Sequence, residues 1–178
     1  MIRRHAPFVV LLALAAGCST VGTRVPGISN FGTAGPGIYR GAQPSNEGLE
    51  TLANKGVRTV INLRDDARKD EGERVRRLGM NYVLIRTNAA VSDPGQVARF
   101  LEAVRTSPRP IFVHCKAGRD RTGLEIAVHR VVVDGWSREE AIRELYAHGY
   151  NWALYPNIVQ FIRAFEPAPV AVAQDAGG

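Results

Sequence analysis

Cysteine is nearly absent from this chain: among 178 residues only Cys18 and Cys115 carry a thiol. With one near the N-terminus and one in the interior, they leave no disulfide framework and no resolving thiol. Histidine is sparse as well, and His5, His114, His129 and His148 are too scattered in sequence to make a zinc-spaced cluster, so no metal or other cofactor is expected. Long hydrophobic runs are missing too. The apolar stretch from Phe8 to Ala16 falls well short of the roughly 20 residues that span a bilayer, which excludes a conventional transmembrane helix there. Basic residues outnumber acidic ones, 23 to 17, but form no stripe and belong to no recognisable nucleic-acid module. Nucleic acid is therefore not an expected partner. Internal repeats are absent as well.

What the chain does have is the run Val113-His114-Cys115-Lys116-Ala117-Gly118-Arg119-Asp120-Arg121-Thr122-Gly123. Ile111-Phe112-Val113 reads as a short buried strand ending at His114, and Thr122 to Val133 as a helix. A loop between such a strand and a helix N-terminus aims several backbone N–H groups at one point, where the helix dipole adds partial positive charge. A phosphate dianion fits that nest. The same field favours a thiolate and should lower Cys115 from about 8.5 into the roughly 3.5–7.5 range of activated thiols. Arg121 closes the loop with a planar fork of donors suited to two equatorial oxygens of a transferring phosphoryl group. Gly118 lets the backbone approach the anion, and the Thr122 hydroxyl can hydrogen-bond the sulfur and ease its departure from a phosphocysteine. Lys116, Ala117, Arg119 and Asp120 complete the candidate phosphate-binding loop.

His-Cys, five residues, then Arg-Thr resembles the signature of the cysteine-dependent protein tyrosine and dual-specificity phosphatases. The form HCKAGRDRTG looks most like the small bacterial dual-specificity branch. Ile38-Tyr39-Arg40-Gly41-Ala42-Gln43-Pro44-Ser45 and Val60-Ile61-Asn62-Leu63-Arg64 are similar to the N-terminal pattern of that branch, so the resemblance covers about residues 37 to 165. It implies a phosphomonoesterase working through a phosphocysteine intermediate, with His114 bracing the loop. A rhodanese-type sulfurtransferase also seats a cysteine in an anion loop, but lacks this His-Cys and Arg-Thr frame. An inactive phosphate-binding pseudophosphatase is the reading from another class, and intact Cys115 and Arg121 argue against it.

Ester cleavage also needs a proton for the leaving oxygen. Two aspartates compete. Asp120 lies inside the loop, and the resemblance to bacterial phosphatases and myotubularins supports it as the acid, although it can also serve as an ionic partner for Arg119 or Arg121. Asp93 sits in the connection where the superfamily often carries a mobile acid, yet Asp93-Pro94 also reads as a helix N-cap with proline at N1. Lys116 and Arg119 add charge beyond what a phosphotyrosine monoester requires, which suits a phosphoinositide, an inositol phosphate or a lipid such as lipid A as well as a phosphorylated protein. Arg64 and Arg40 are candidate substrate contacts at the carboxyl edge of the sheet, with ordinary salt bridges as the alternative.

Arg3-Arg4, the short apolar run and Ala15-Ala16-Gly17-Cys18 read as an export signal over residues 1–17. Small residues directly before a cysteine resemble the bacterial lipobox, with Ala15 where leucine is usual. That implies lipidation at Cys18, attachment to the membrane, and a place on the periplasmic face of the outer membrane; cleavage at another small residue is the alternative. Removing residues 1–17 leaves 161 residues with 21 basic against 17 acidic side chains, a balance of +4. Residues 18–36, rich in Gly, Thr, Ser and Pro, read as a lipidated N-terminus and tether, 37–166 as one phosphatase domain, and 167–178 as a disordered tail. Helices are expected at Ser45–Lys55, Glu71–Leu78, Asp93–Thr106, from the Ser137 capping box to Tyr146, and Asn157–Phe165, with strands at Thr59–Leu63, Asn81–Ile85 and Ile111–Val113. The alternation predicts an α/β fold, a mostly parallel central sheet with helices on both faces. Trp136, Trp152 and Tyr155 are expected to pack in the core.

Overall fold

The computed structural model describes residues 25–166. The expected signal, Cys18 and the tail from Pro167 lie outside the described residues. Strand alternation decides the architecture. In β3 (Thr59–Arg64) and β5 (Ile111–His114), Val60 and Phe112 point to one face, where they meet Leu49, Leu52 and Val75. Ile61, Leu63, Ile111 and Val113 point to the other, against Phe100, Val104 and Ile126. Strands apolar on both faces must be covered on both, which is the requirement of a parallel sheet.

The remaining strands are β1 (Gly32–Thr33), β2 (Ile38–Gly41) and β4 (Asn81–Thr87). Their order across the five-stranded sheet is β1-β2-β5-β3-β4, parallel throughout except for β1 against β2. Helices α1 (Asn46–Asn54) and α2 (Glu71–Arg77) cover one face. The other is covered by α3 (Pro94–Thr106) and α4 (Asp120–Val132), with α5 (Arg138–Ala147) and α6 (Asn157–Ala164) packed outside α4. The expected α/β architecture is thus the one observed. Local signals placed three of the six helix starts: Ser45 accepts from Gly48 N at 3.2 Å, Asp93 caps α3 with Pro94 behind it, and Ser137 and Glu140 form a capping box.

Three expectations change. The tether does not reach residue 36, because Val25, Ile28 and Phe31 are buried against α1 and Phe112. Turns, not slack, are what the glycines make there: Gly27 has φ +73°, and a Cβ on it would lie 2.2 Å from Gly48 N, so the chain crosses directly over the start of α1. Second, α4 begins at Asp120, two residues earlier than expected, which puts Asp120 and Arg121 in its first turn. Third, Trp152 is 65% exposed, whereas Trp136 is half-buried beneath the Arg130 guanidinium and Tyr155 packs on the α4–α6 core.

Candidate active site

Strand β5 lies between β2 and β3, so it delivers His114 and Cys115 to the centre of the sheet's carboxyl edge. The five residues that follow turn into α4. The carbonyls of the first three are held from outside: Gln43 N donates to Lys116 O at 3.2 Å, and Asn30 Nδ2 donates to Ala117 O at 3.2 Å and Gly118 O at 3.0 Å. Arg40 Nη2 donates to Gly118 O at 3.0 Å. With the carbonyls tied outward, the loop amides are left facing the sulfur side. Gly118 has φ +66°, and a Cβ there would fall 2.4 Å from Gly41 C and O, so only glycine lets the loop close on β2.

Cys115 is 3% exposed. Burial alone would push its thiol up, but the Thr122 side chain and amide, the Arg121 charge and the Gly118 amide outweigh it and hold the pKa below the ordinary value. The Thr122 hydroxyl is buried and has no other partner among the described residues, which leaves it for the sulfur. Arg121 Nη1 lies 2.5 Å from Asp65 Oδ1, on the connection after β3. A bound phosphoryl group must therefore compete with Asp65 for this guanidinium.

Arg40 is not a substrate contact. It is completely buried, and its guanidinium lies behind the loop at Gly118 O. Burial pulls its pKa down to about 10, while Glu144 and Cys115 favour its charge, so it stays a cation behind the Cys115 sulfur. Arg64 is engaged by its neighbours: Nε and Nη2 donate to Asp66 at 2.9 and 2.7 Å, and Nη1 donates to Gln43 Oε1 at 3.1 Å, while the Cys115 charge also favours its cation. It steadies the loop through Gln43. His114 sits beneath the loop, with Nδ1 3.2 Å from Cys115 O and Nε2 3.1 Å from Glu71 Oε1, a close contact that is poorly aligned as a hydrogen bond. Glu71 in turn accepts from Gln43 Nε2 at 2.7 Å and Asn62 Nδ2 at 2.5 Å. Burial opposes its ionisation, but the His114 contact and these donors win, and its pKa lies below the ordinary value.

Lys116 and Arg119 are exposed on the loop, with Ala117 half-buried between them. Asp120 accepts from Asn151 N at 2.8 Å through Oδ1, and Asp93 from Gly95 N at 2.9 Å. The capping role of Asp93 is thus real, and Asp120 anchors the α5–α6 connection to the loop. Asn30, Asp65 and Glu71 are the members that sequence reasoning missed. Glu71 begins a helix and Asp65 follows a strand, positions with no chemical signature of their own. A groove of about 880 Å³ between α3 and α4, lined in part by Leu101, Val104 and His129, contains none of the loop residues.

One turn beyond Arg121, Glu125 is buried, with Oε2 unpartnered among the described residues. Burial, opposed by Arg99 and reinforced by Asp93, pushes its pKa from 4.5 up to about 8. Between those values the unfolded chain releases this proton while the folded one keeps it, so stability falls as pH rises, by up to about 1.4 kcal/mol per pH unit. Below pH 4.5 and above 8 the contribution is flat. Glu125→Gln should therefore raise the neutral-pH stability by on the order of 2 kcal/mol and flatten its decline from pH 5 to 8, as read by urea unfolding. An unchanged slope would show that Glu125 is ionised in the folded protein.

Residues 33–153 match the family model described as DSP-PTPase phosphatase fused to NAD+ kinase. The dual specificity protein phosphatase TpbA of Pseudomonas aeruginosa is 32% identical over 119 residues, 65% of this chain and 53% of that protein. Human phosphatidylglycerophosphatase and protein-tyrosine phosphatase 1 is 26% identical over 120 residues, 62% of this chain and 60% of that one. The chain thus spans little more than half the length of these curated relatives. Among solved structures, P. aeruginosa TpbA superposes with a TM-score of 0.68 at 25% identity, covering 81% of this chain and 94% of its own. The core catalytic domain of the PP-IP phosphatase SIW14 from S. cerevisiae gives 0.71 at 21% identity, covering 80% and 89%, a likeness of fold.

Proposed function

The chain belongs to the DSP-PTPase phosphatase family, and on that premise we propose that it is a cysteine-dependent phosphomonoesterase working through a phosphocysteine intermediate. The observation that carries this is the Cys115 thiol, its pKa held down by Thr122, Arg121 and Gly118, within a loop whose first three carbonyls are tied outward. Cys115 Sγ attacks phosphorus as the bond to the leaving oxygen breaks, and Asp120 supplies that oxygen's proton. Arg121, released from Asp65, and the loop amides hold the equatorial oxygens. Water, giving a proton back to the Asp120 carboxylate, then attacks the phosphocysteine, the S–P bond breaks to release inorganic phosphate, and the Thr122 hydroxyl stabilises the departing thiolate.

The extra cations Lys116 and Arg119 extend the substrate range to phosphorylated proteins, phosphoinositides, inositol phosphates and lipid phosphomonoesters. Relatives point the same way, since one solved TpbA structure holds phosphotyrosine and the human relative is named for a phospholipid phosphate. Export by residues 1–17, lipidation at Cys18 and attachment at the periplasmic face of the outer membrane complete the reading, supported by Ala15-Ala16-Gly17-Cys18.

The test is phosphate release by the full chain in EDTA from phosphopeptides, phosphoinositides, inositol phosphates and lipid A. Release from at least one class is expected. Esters that bind but yield no phosphate from any class would replace the enzyme with a phosphate-binding pseudophosphatase.

A further inference from the structure

Two connections on the α3–α6 side of the sheet, one of them fixed to the end of the phosphate loop, carry bare apolar tips. Between α5 and α6, Asn151 N is fixed to Asp120 Oδ1 at 2.8 Å, and Asn151 in turn accepts from Leu154 N and Tyr155 N at 3.3 and 3.1 Å. This tight turn leaves Trp152 65% and Leu154 66% exposed. Between β4 and α3, Val91 is 56% exposed. Asn157 Nδ2 joins the two connections by donating to Ala89 O at 3.0 Å and Ser92 Oγ at 2.9 Å. The two connections are therefore tied to one another, and through Asn151 and Asp120 to the end of the loop.

An exposed tryptophan, leucine and valine gathered on fixed turns expose apolar surface that folding would otherwise bury. Their surroundings say what covers them. Lys116 and Arg119 are exposed on the adjoining loop, and the ring of Tyr146 is also exposed, packed edge-on to Tyr150 at 5.3 Å. Indole and aliphatic tips beside cations match a bilayer interface, where aromatic rings settle among headgroups and basic side chains meet anionic lipid.

We propose that Trp152, Leu154 and Val91 form a docking edge that seats an anionic phospholipid surface beside the catalytic loop. The proposal rests on the phosphatase reading and adds to it: headgroup phosphate reaches Cys115 from the membrane plane, while Lys116 and Arg119 meet the neighbouring anionic headgroups. Docking is independent of any lipid on Cys18.

The test uses the full chain with Cys18→Ser, so that nothing at that residue anchors it, and vesicles of phosphatidylcholine with or without phosphatidic acid. Of the two tryptophans in the chain, Trp152 is the exposed one and reports insertion. Its emission should shift to shorter wavelength with the phosphatidic acid vesicles and little with phosphatidylcholine alone. Leu154→Ser with Val91→Ser keeps the reporter and should weaken vesicle partition about tenfold or more. Hydrolysis of vesicle phosphatidic acid should fall in parallel, with hydrolysis of a soluble aryl phosphate unchanged. No emission shift, or equal partition of the double variant, would overturn the docking edge. Equal loss on vesicle and soluble substrates would overturn it too, and loss confined to phosphopeptides would reassign it to a protein partner. Failure to hydrolyse the soluble ester at all would instead sink the phosphatase reading, whatever the vesicles show.

Discussion

Cys115→Ser should lower phosphate release by on the order of 10⁴-fold or more, with phosphate-ester affinity retained within a few-fold. The loop acts on the acidity of a thiol, and a serine hydroxyl starts so far above neutrality that the same hydrogen bonds from Thr122 and Gly118 cannot ionise it. Binding rests on other groups, namely the loop amides, Arg121, Lys116 and Arg119. The replacement is nearly isosteric at a buried site, so folding survives and the loss is chemical. Calorimetric titration of a slow ester, beside a phosphate-release assay, separates the two quantities. Wild-type turnover in the serine protein would remove Cys115 as nucleophile, and equal loss of affinity and turnover would mean that the loop had collapsed.

Arg40 sets the limit of that independence. It lies behind the loop as a buried cation, with the Cys115 thiolate and Glu144 as the charges that favour it. In the serine protein one of these charges is gone, while the hydrogen bond to Gly118 O remains. The loop scaffold therefore keeps its brace, which is why affinity is expected to persist.

The parts of this site that were legible in the sequence are the parts built from neighbours. Cys115, Gly118, Arg121 and Thr122 fall within eight residues of one another, so strand, loop and helix could be read in one pass, and Ser45, Asp93 and Ser137 announce their helices by the same locality. Arg40 failed as a substrate contact for the opposite reason. Its place depends on β2 pairing with β5, across 78 residues from Gly118, and no local pattern encodes which strand lies beside which. Asn30 is further still, 88 residues from Gly118, and sat in a stretch whose Gly and Pro content suggested a tether. Composition describes the turns there but not that Val25, Ile28 and Phe31 bury themselves between them. Trp152 shows the same limit from the other side. Its type suggests a core residue, and only the turn fixed by Asn151 on Asp120 reveals that it faces outward.

That Asn151 contact bears on the second large effect, expected at Asp120. As the first residue of α4 it lies at the edge of the phosphate loop, where the proposed reaction needs a proton donor. If it supplies the proton, Asp120→Asn should lower kcat/KM on alkyl phosphates by about 10²–10³-fold, because an alkoxide leaves poorly without one. On an aryl phosphate with an acidic phenol the loss should shrink to a few-fold, since that oxygen departs with little help. The amide can still accept from Asn151 N through its own carbonyl oxygen, so the α5–α6 connection stays anchored and the variant isolates the proton. Asp93→Asn is the companion measurement. Asparagine caps a helix about as well as aspartate, so α3 should hold and activity should change little on either ester. A leaving-group-dependent loss at position 93 with none at 120 would transfer the acid to the β4–α3 connection. Small, equal losses at position 120 on both esters would leave Asp120 as a brace for Asn151 alone.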